Sequence, residues 1–166
     1  MPYIQCIIYT LYIFMNIDAI PDPTRVVIEC VFVGMYCLMI YMLFPKIQNI
    51  HTVYFIVGFS KHLLGYLTGL HSLYCKYGTA CKWGSSATSI YSNHLLMECI
   101  IEGVLFVCLR IFFVWICTSL MNVKITRNTE LAIIFSIGVC LHILFEVGKI
   151  HGMFCKYRCI SNTNTV

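Results

Sequence analysis

The feature that most limits what this chain can become is a succession of apolar runs with little polar sequence between them. The runs cover Ile4 to Ile17, Val26 to Phe44, Thr52 to Leu70, His94 to Leu120 and Leu131 to Ile150. A helix needs about 20 apolar residues to cross a hydrocarbon layer roughly 30 Å thick, and the last four runs are of that order. Of the 166 residues, 60% are hydrophobic and 11% charged, against about 25% charged in soluble domains. One soluble core of this size could not hide so much apolar area, whereas lipid as the solvent can take it. The expected fold is therefore all-α: a polytopic integral membrane helical bundle of four to five transmembrane helices. Residues 1–166 would form a single membrane domain.

The first run is the shortest. It lacks a basic segment ahead of it and is followed by Asp18-Ala-Ile-Pro-Asp-Pro23, so it is a poor signal peptide and reads as a short span, with an interfacial segment as the alternative. Pro21 and Pro23 break the chain before the next helix. With the spans in this order, the 72–93 loop and the C-terminal tail share one membrane face, here face Q. That face carries Arg25, Lys76, Lys82, Lys156 and Arg158, whereas the other carries Lys46, Lys124 and Arg127. The excess of basic residues assigns face Q to the cytoplasm. The same distribution accounts for the net charge of +4. No basic cluster or stripe points to nucleic acid, so nucleic acid is not an expected partner.

Two stretches match at an offset of 80 residues: His62-Leu-Leu-Gly-Tyr-Leu-Thr-Gly-Leu-His-Ser-Leu-Tyr-Cys-Lys-Tyr77 and His142-Ile-Leu-Phe-Glu-Val-Gly-Lys-Ile-His-Gly-Met-Phe-Cys-Lys-Tyr157. Phe55/Phe135 and Gly58/Gly138 extend the frame upstream. The preceding helices share Glu29-Cys-Val-Phe-Val-Gly34 and Glu98-Cys-Ile-Ile-Glu-Gly103 at an offset of 69. This pattern predicts a tandem duplication of a two-helix unit, with a first repeat over 26–77 and a second over 94–157. Both copies would enter from face Q and lie parallel. Gly65 and Gly69, with Gly34, Gly58, Gly103 and Gly138, are expected at close helix contacts.

A helical rise of about 1.5 Å per residue puts Lys61, His62, Glu102 and His142 roughly 12–15 Å below face Q. Glu29, Glu98 and Glu146 are shallower, roughly 4–8 Å deep. An unpaired charge facing hydrocarbon is costly, so these side chains should face the bundle interior and find one another. Glu29, Lys61, His62, Glu98, Glu102, Arg110, His142 and Glu146 thus form an expected buried polar network, with Lys61 and Glu102 as its deep ion pair. Arg110 has no acidic partner at its depth in this reading and is expected to snorkel or to meet another subunit. The network serves simply as interhelical clasps in one reading. In another, His62, Glu102 and His142 hold a metal, a proton or a small ion. His62/His142 and His71/His151 could also form cross-helix axial pairs for haem, although the two levels would lie only roughly 13–14 Å apart.

Seven of the eleven cysteines lie in apolar runs, where a thiol acts as a small hydrophobe. Cys75, Cys81, Cys155 and Cys159 gather on face Q as free thiols, bridged pairs or a zinc site. Their Cys-x5-Cys and Cys-x3-Cys spacings match neither a zinc knuckle nor a Cys-x-x-Cys redox pair.

No motif identifies catalytic residues. The leading expectation is a non-enzymatic membrane structural or assembly protein, surrounded by membrane lipid and associating with itself or with other membrane proteins. Its Ile, Tyr, Asn and Lys usage suits an AT-rich genome such as that of a large DNA virus. No cofactor is expected under this reading, with zinc or haem as the alternatives. The competing functions are a small transporter, channel or metal/proton-handling protein, and a membrane thiol or haem oxidoreductase. The topology has a direct test in impermeant thiol labelling, which should reach Cys75, Cys81, Cys155 and Cys159 from one side. Labelling of the loop and the tail from opposite sides would reject both the topology and the parallel duplication.

Overall fold

Short polar breaks set where the helices begin. The computed structural model describes residues 23–44, 47–77, 95–148 and 150–151, and the expected span at 4–17 lies outside them. Helix α1 runs Pro23–Met42, with proline at its first position, where the missing N–H is no loss. Helix α2, Ile50–Leu67, starts at Asn49, whose side chain accepts from His51 N and Thr52 N. After Gly69, helix α3 covers Leu70–Tyr77. Helix α4, Leu95–Trp115, passes directly into a π-helical turn over Ile116–Leu120. Helix α5, Arg127–Val147, opens with a capping box between Thr126 and Thr129. No strand occurs among the described residues.

Three stretches are long and apolar enough to cross a membrane: Thr24–Met42, Leu95–Leu120 and Arg127–Val147. Helix α2 has 18 residues but carries Lys61-His62 in its second half. The main packing partners are crossed: α1 lies along α5, and α2 lies along α4. Contacts of α1 with α2 and of α4 with α5 join the two pairs. Tyr54, Val57, Phe106, Ile134 and Ile137 are fully buried in the core where the helices meet. The outer surfaces of α1 and α4 expose Ile28, Phe32, Met39, Met97, Ile101 and Trp115, an apolar face suited to lipid.

The crossed pairs approach closely at glycines. A Cβ on Gly34 would meet the Phe135 ring at 2.7 Å, and one on Gly103 would meet the Phe55 ring at 2.9 Å. At Gly58 it would meet Glu102 O at 2.7 Å, and at Gly138 it would meet Cys37 Sγ at 2.9 Å and Gly34 Cα at 3.1 Å. These four positions let backbone pack on backbone. Gly69 corrects its expected packing role: its φ is +74° and nothing lies within 4 Å of its Cβ position. It makes the turn between α2 and α3, a conformation natural to glycine.

Two boundaries also differ from expectation. The segment expected to begin a polar loop at Ser72 is helical through Tyr77, because the Gly69 turn lets a second helix start at once. The polar turn expected over 122–130 is shorter, since Thr126 caps α5 and places Thr129 and Glu130 in its buried first turn. Asn122 makes the preceding bend at φ +49°, a value Asn tolerates better than most residues.

Gly138→Ala should lower stability by about 1–3 kcal/mol through overpacking, while Gly69→Ala should lower it by about 1–2 kcal/mol through backbone strain alone. Reversible unfolding in detergent reads both. An unchanged midpoint for Gly138→Ala would show that α1 and α5 do not meet there.

Candidate functional site

Charges inside the bundle are arranged by the i,i+4 geometry of α4 and α5. Glu98 and Glu102 lie one turn apart on α4 and face the Lys61-His62 pair on α2. Lys61 Nζ donates to Glu102 Oε1. His62 Nδ1 lies 2.8 Å from Glu102 Oε2, and its Nε2 lies 3.0 Å from Glu98 Oε2. An imidazole that presents both nitrogens to carboxylates donates from both as the imidazolium. With Lys61 it would balance the two glutamates, so the cluster carries no net charge into the interior. Glu102 is 2% exposed, a depth at which only such pairing makes an ionised carboxylate tolerable.

A second cluster joins α1, α3 and α5. Glu29 accepts from Arg25 Nε at 3.4 Å, and its other oxygen lies 3.4 Å from His142 Nε2. His142 and Glu146 lie one turn apart on α5, and both are buried. His151 follows the end of α5, with Nδ1 2.8 Å from Glu146 Oε1 and 3.2 Å from Tyr74 Oη. The rings of His142 and His151 are 4.9 Å apart, with Tyr74 edge-on to both. His62 and His71 make a comparable contact at 4.7 Å. The His151 ring is 17% exposed. Burial first, and then the nearby His142, Lys61, His71 and His62, push it well below the usual histidine range. It is therefore neutral near pH 7. Glu146 Oε2 is buried with no hydrogen-bond partner among the described residues.

The third cluster lies toward the other end of the bundle. Arg110 Nη2 and Nε lie 2.6 and 3.3 Å from Glu130 Oε1 and Oε2. Tyr54 Oη donates to Glu130 Oε2 at 2.7 Å, and the guanidinium sits 5.2 Å above the Tyr54 ring. The expectation that Arg110 lacks an acidic partner is therefore corrected. Glu130 belongs to the first turn of α5, and reading it as turn sequence hid it. The signal was present in Thr126, a residue type that caps helices three positions before an interior turn.

The structure brings Lys61, His62, Glu98 and Glu102 together, and separately Glu29, His142 and Glu146. The metal trio read from depth, His62, Glu102 and His142, does not converge. Among the described residues the trio with ligand atoms within 4.8 Å of one another is His142, Glu146 and His151. Equal depth could not reveal this, because His62 and His142 turn toward different carboxylates. For haem, the close ring pairs are His62 with His71 and His142 with His151, rather than the expected His62/His142 and His71/His151. Both His62 nitrogens face carboxylates in this arrangement. Cys81, Cys155 and Cys159 lie outside the described residues, as does the side chain of Cys75. Cys30, Cys37, Cys99 and Cys140 are buried as free thiols, and Cys108 is an exposed one; Cys117 is buried as well.

Comparison with protein-family models, curated proteins and solved structures returned no match, so the functional reading rests on these side chains.

Removing the cation in Arg110→Leu leaves Glu130 buried beside Tyr54 and should lower stability by about 3–5 kcal/mol. Tyr54→Phe removes one hydrogen bond to a charged acceptor and should lower it by about 1.5–3 kcal/mol. Denaturant unfolding in detergent ranks the two; an Arg110→Leu effect below that of Tyr54→Phe would contradict the buried pair.

Proposed function

We propose that this is a non-enzymatic, multi-pass membrane protein with a structural or assembly role. It has four spanning helices built by tandem duplication of a two-helix unit, and its buried charges act as clasps between them. The observation that carries this reading is cross-helix pairing. Lys61, His62, Glu102, Arg110 and Glu130 each meet an opposite partner on another helix, while the outward sides of α1 and α4 remain apolar. A bundle clasped inside and apolar outside is suited to sit among lipids and to associate with itself or with other membrane proteins. Face Q is cytoplasmic under this proposal.

The duplication draws support from contacts that recur under the offsets of 69 and 80. Gly34 packs on Phe135 as Gly103 packs on Phe55. Gly138 meets Cys37 as Gly58 meets Phe106. His142 faces Glu29 as His62 faces Glu98. The His62–His71 ring contact recurs as His142–His151. Each member of one contact is the sequence counterpart of a member of the other, and this recurrence supports the duplication.

A second reading, metal or proton handling, is favoured by one feature that the clasps do not explain. Glu146, with a buried oxygen that has no hydrogen-bond partner among the described residues, lies among neutral and titratable rings.

The clasp reading has its test in Lys61→Met, Glu102→Gln and the double variant. Each single change should lower stability by about 3 kcal/mol by stranding the partner. The double variant should lose less than the sum, with a coupling of about 1–3 kcal/mol. Single variants that unfold with the wild-type midpoint would remove the clasp reading and favour a hydrated working site.

A further inference from the structure

We propose a divalent transition-metal site of the zinc class formed by His142, Glu146 and His151. The site is separate from the Lys61–Glu102 clasp, and the inference goes beyond the assembly role. Three observations meet there. First, one ligand atom from each residue lies within 4.8 Å of the others, so modest side-chain adjustment brings all three onto one ion. Second, Glu146 is 1% exposed and its Oε2 has no hydrogen-bond partner among the described residues. Leaving a buried carboxylate oxygen unsatisfied carries a substantial desolvation penalty, and a cation among these groups removes it. Third, the surroundings among the described residues supply ligand groups: two imidazoles, an aromatic shelf from Phe145, and the Tyr74 hydroxyl.

The donor set selects the ion. Two imidazole nitrogens and one carboxylate oxygen suit zinc and its first-row neighbours. Calcium and magnesium take mostly oxygen ligands. Three protein ligands leave a position for water or a further donor. Beside the trio, Glu29 Oε2 lies 3.4 Å from His142 Nε2, and such an outer partner fixes the orientation of a metal-binding imidazole through its other nitrogen. Tyr74 Oη lies 3.2 Å from His151 Nδ1, the nitrogen that also faces Glu146, and stands within reach of the same position.

The duplicated frame helps isolate the site. The counterpart of Glu146 in the first copy is Tyr66, and that of Tyr74 in the second is Phe154. Both copies hold a histidine pair. Only the second sets a carboxylate between its histidines, so only one ion per chain is expected.

The test uses the full-length protein in detergent, loaded with Zn²⁺ or Co²⁺ and passed through gel filtration. The wild type should retain about one Zn²⁺ per chain, as the single trio implies. The Co²⁺ form should show visible ligand-field bands without thiolate charge transfer. Glu146→Gln and His151→Asn should each weaken Zn²⁺ binding at least about tenfold while circular dichroism stays unchanged. His51→Asn, a change at an exposed ring, should bind like the wild type. His151→Asn alters a side chain beyond the end of α5, which keeps the test valid if the deeper change perturbs folding. Three outcomes would overturn the proposal: no Zn²⁺ retained by the wild type, retention unaffected by both variants, or a thiolate band that assigns the ion to cysteines. Failure of the clasp reading would instead appear in the unfolding midpoints of the Lys61 and Glu102 variants, leaving metal retention unchanged.

Discussion

An ionised carboxylate at the middle of an apolar bundle has to be neutralised, and the packing of this protein follows from how Glu102 meets that requirement. One of its oxygens takes Lys61 and the other takes His62. Because both cations come from consecutive residues of α2, the helix can satisfy Glu102 in only one register and one rotation against α4. The Gly58 and Gly103 approaches then bring the two backbones close enough for the charges to touch. Close backbone packing and charge pairing are therefore mutually dependent along this pair of helices.

The companion pair, α1 and α5, uses the same glycine approaches with a thinner polar component. Under the proposed duplication, Val33 corresponds to Glu102 and Leu141 to Lys61. Apolar packing through Cys37, Ile137 and Leu141 supplies the cohesion instead. Its polar residues are displaced to the end of the bundle, where His142, Glu146, His151 and Tyr74 collect. One half of the molecule is thus built for locking, and the other retains titratable groups whose local pairing is incomplete.

Much of this was legible in the residues. Apolar run length indicated long helices, and depth counting placed Lys61 level with Glu102. The parts that were not legible share a physical origin. Depth along a helix says nothing about rotation around its axis, so His62 and His142 looked like partners although they turn to different glutamates. Hydropathy assigns a helix's capped first turn to the loop, so Glu130 was overlooked and Arg110 seemed stranded. A glycine four residues from another suggests packing until its φ is known, and Gly69 uses its freedom for a turn instead.

The crossed arrangement of the helices bears on the order in which the chain can mature. Helix α1 is made first among the described spans, yet its principal neighbour, α5, is made last. Between those events the Gly34 surface of α1 is uncovered and its Glu29 has yet to meet His142. The α2–α4 pair can close earlier, because α4 emerges while α5 is still being synthesised. Assembly would then run from the inside of the sequence outward, with the α2–α4 pair serving as the template on which α1 and α5 close. A chain lacking α5 would leave α1 without its chief packing partner.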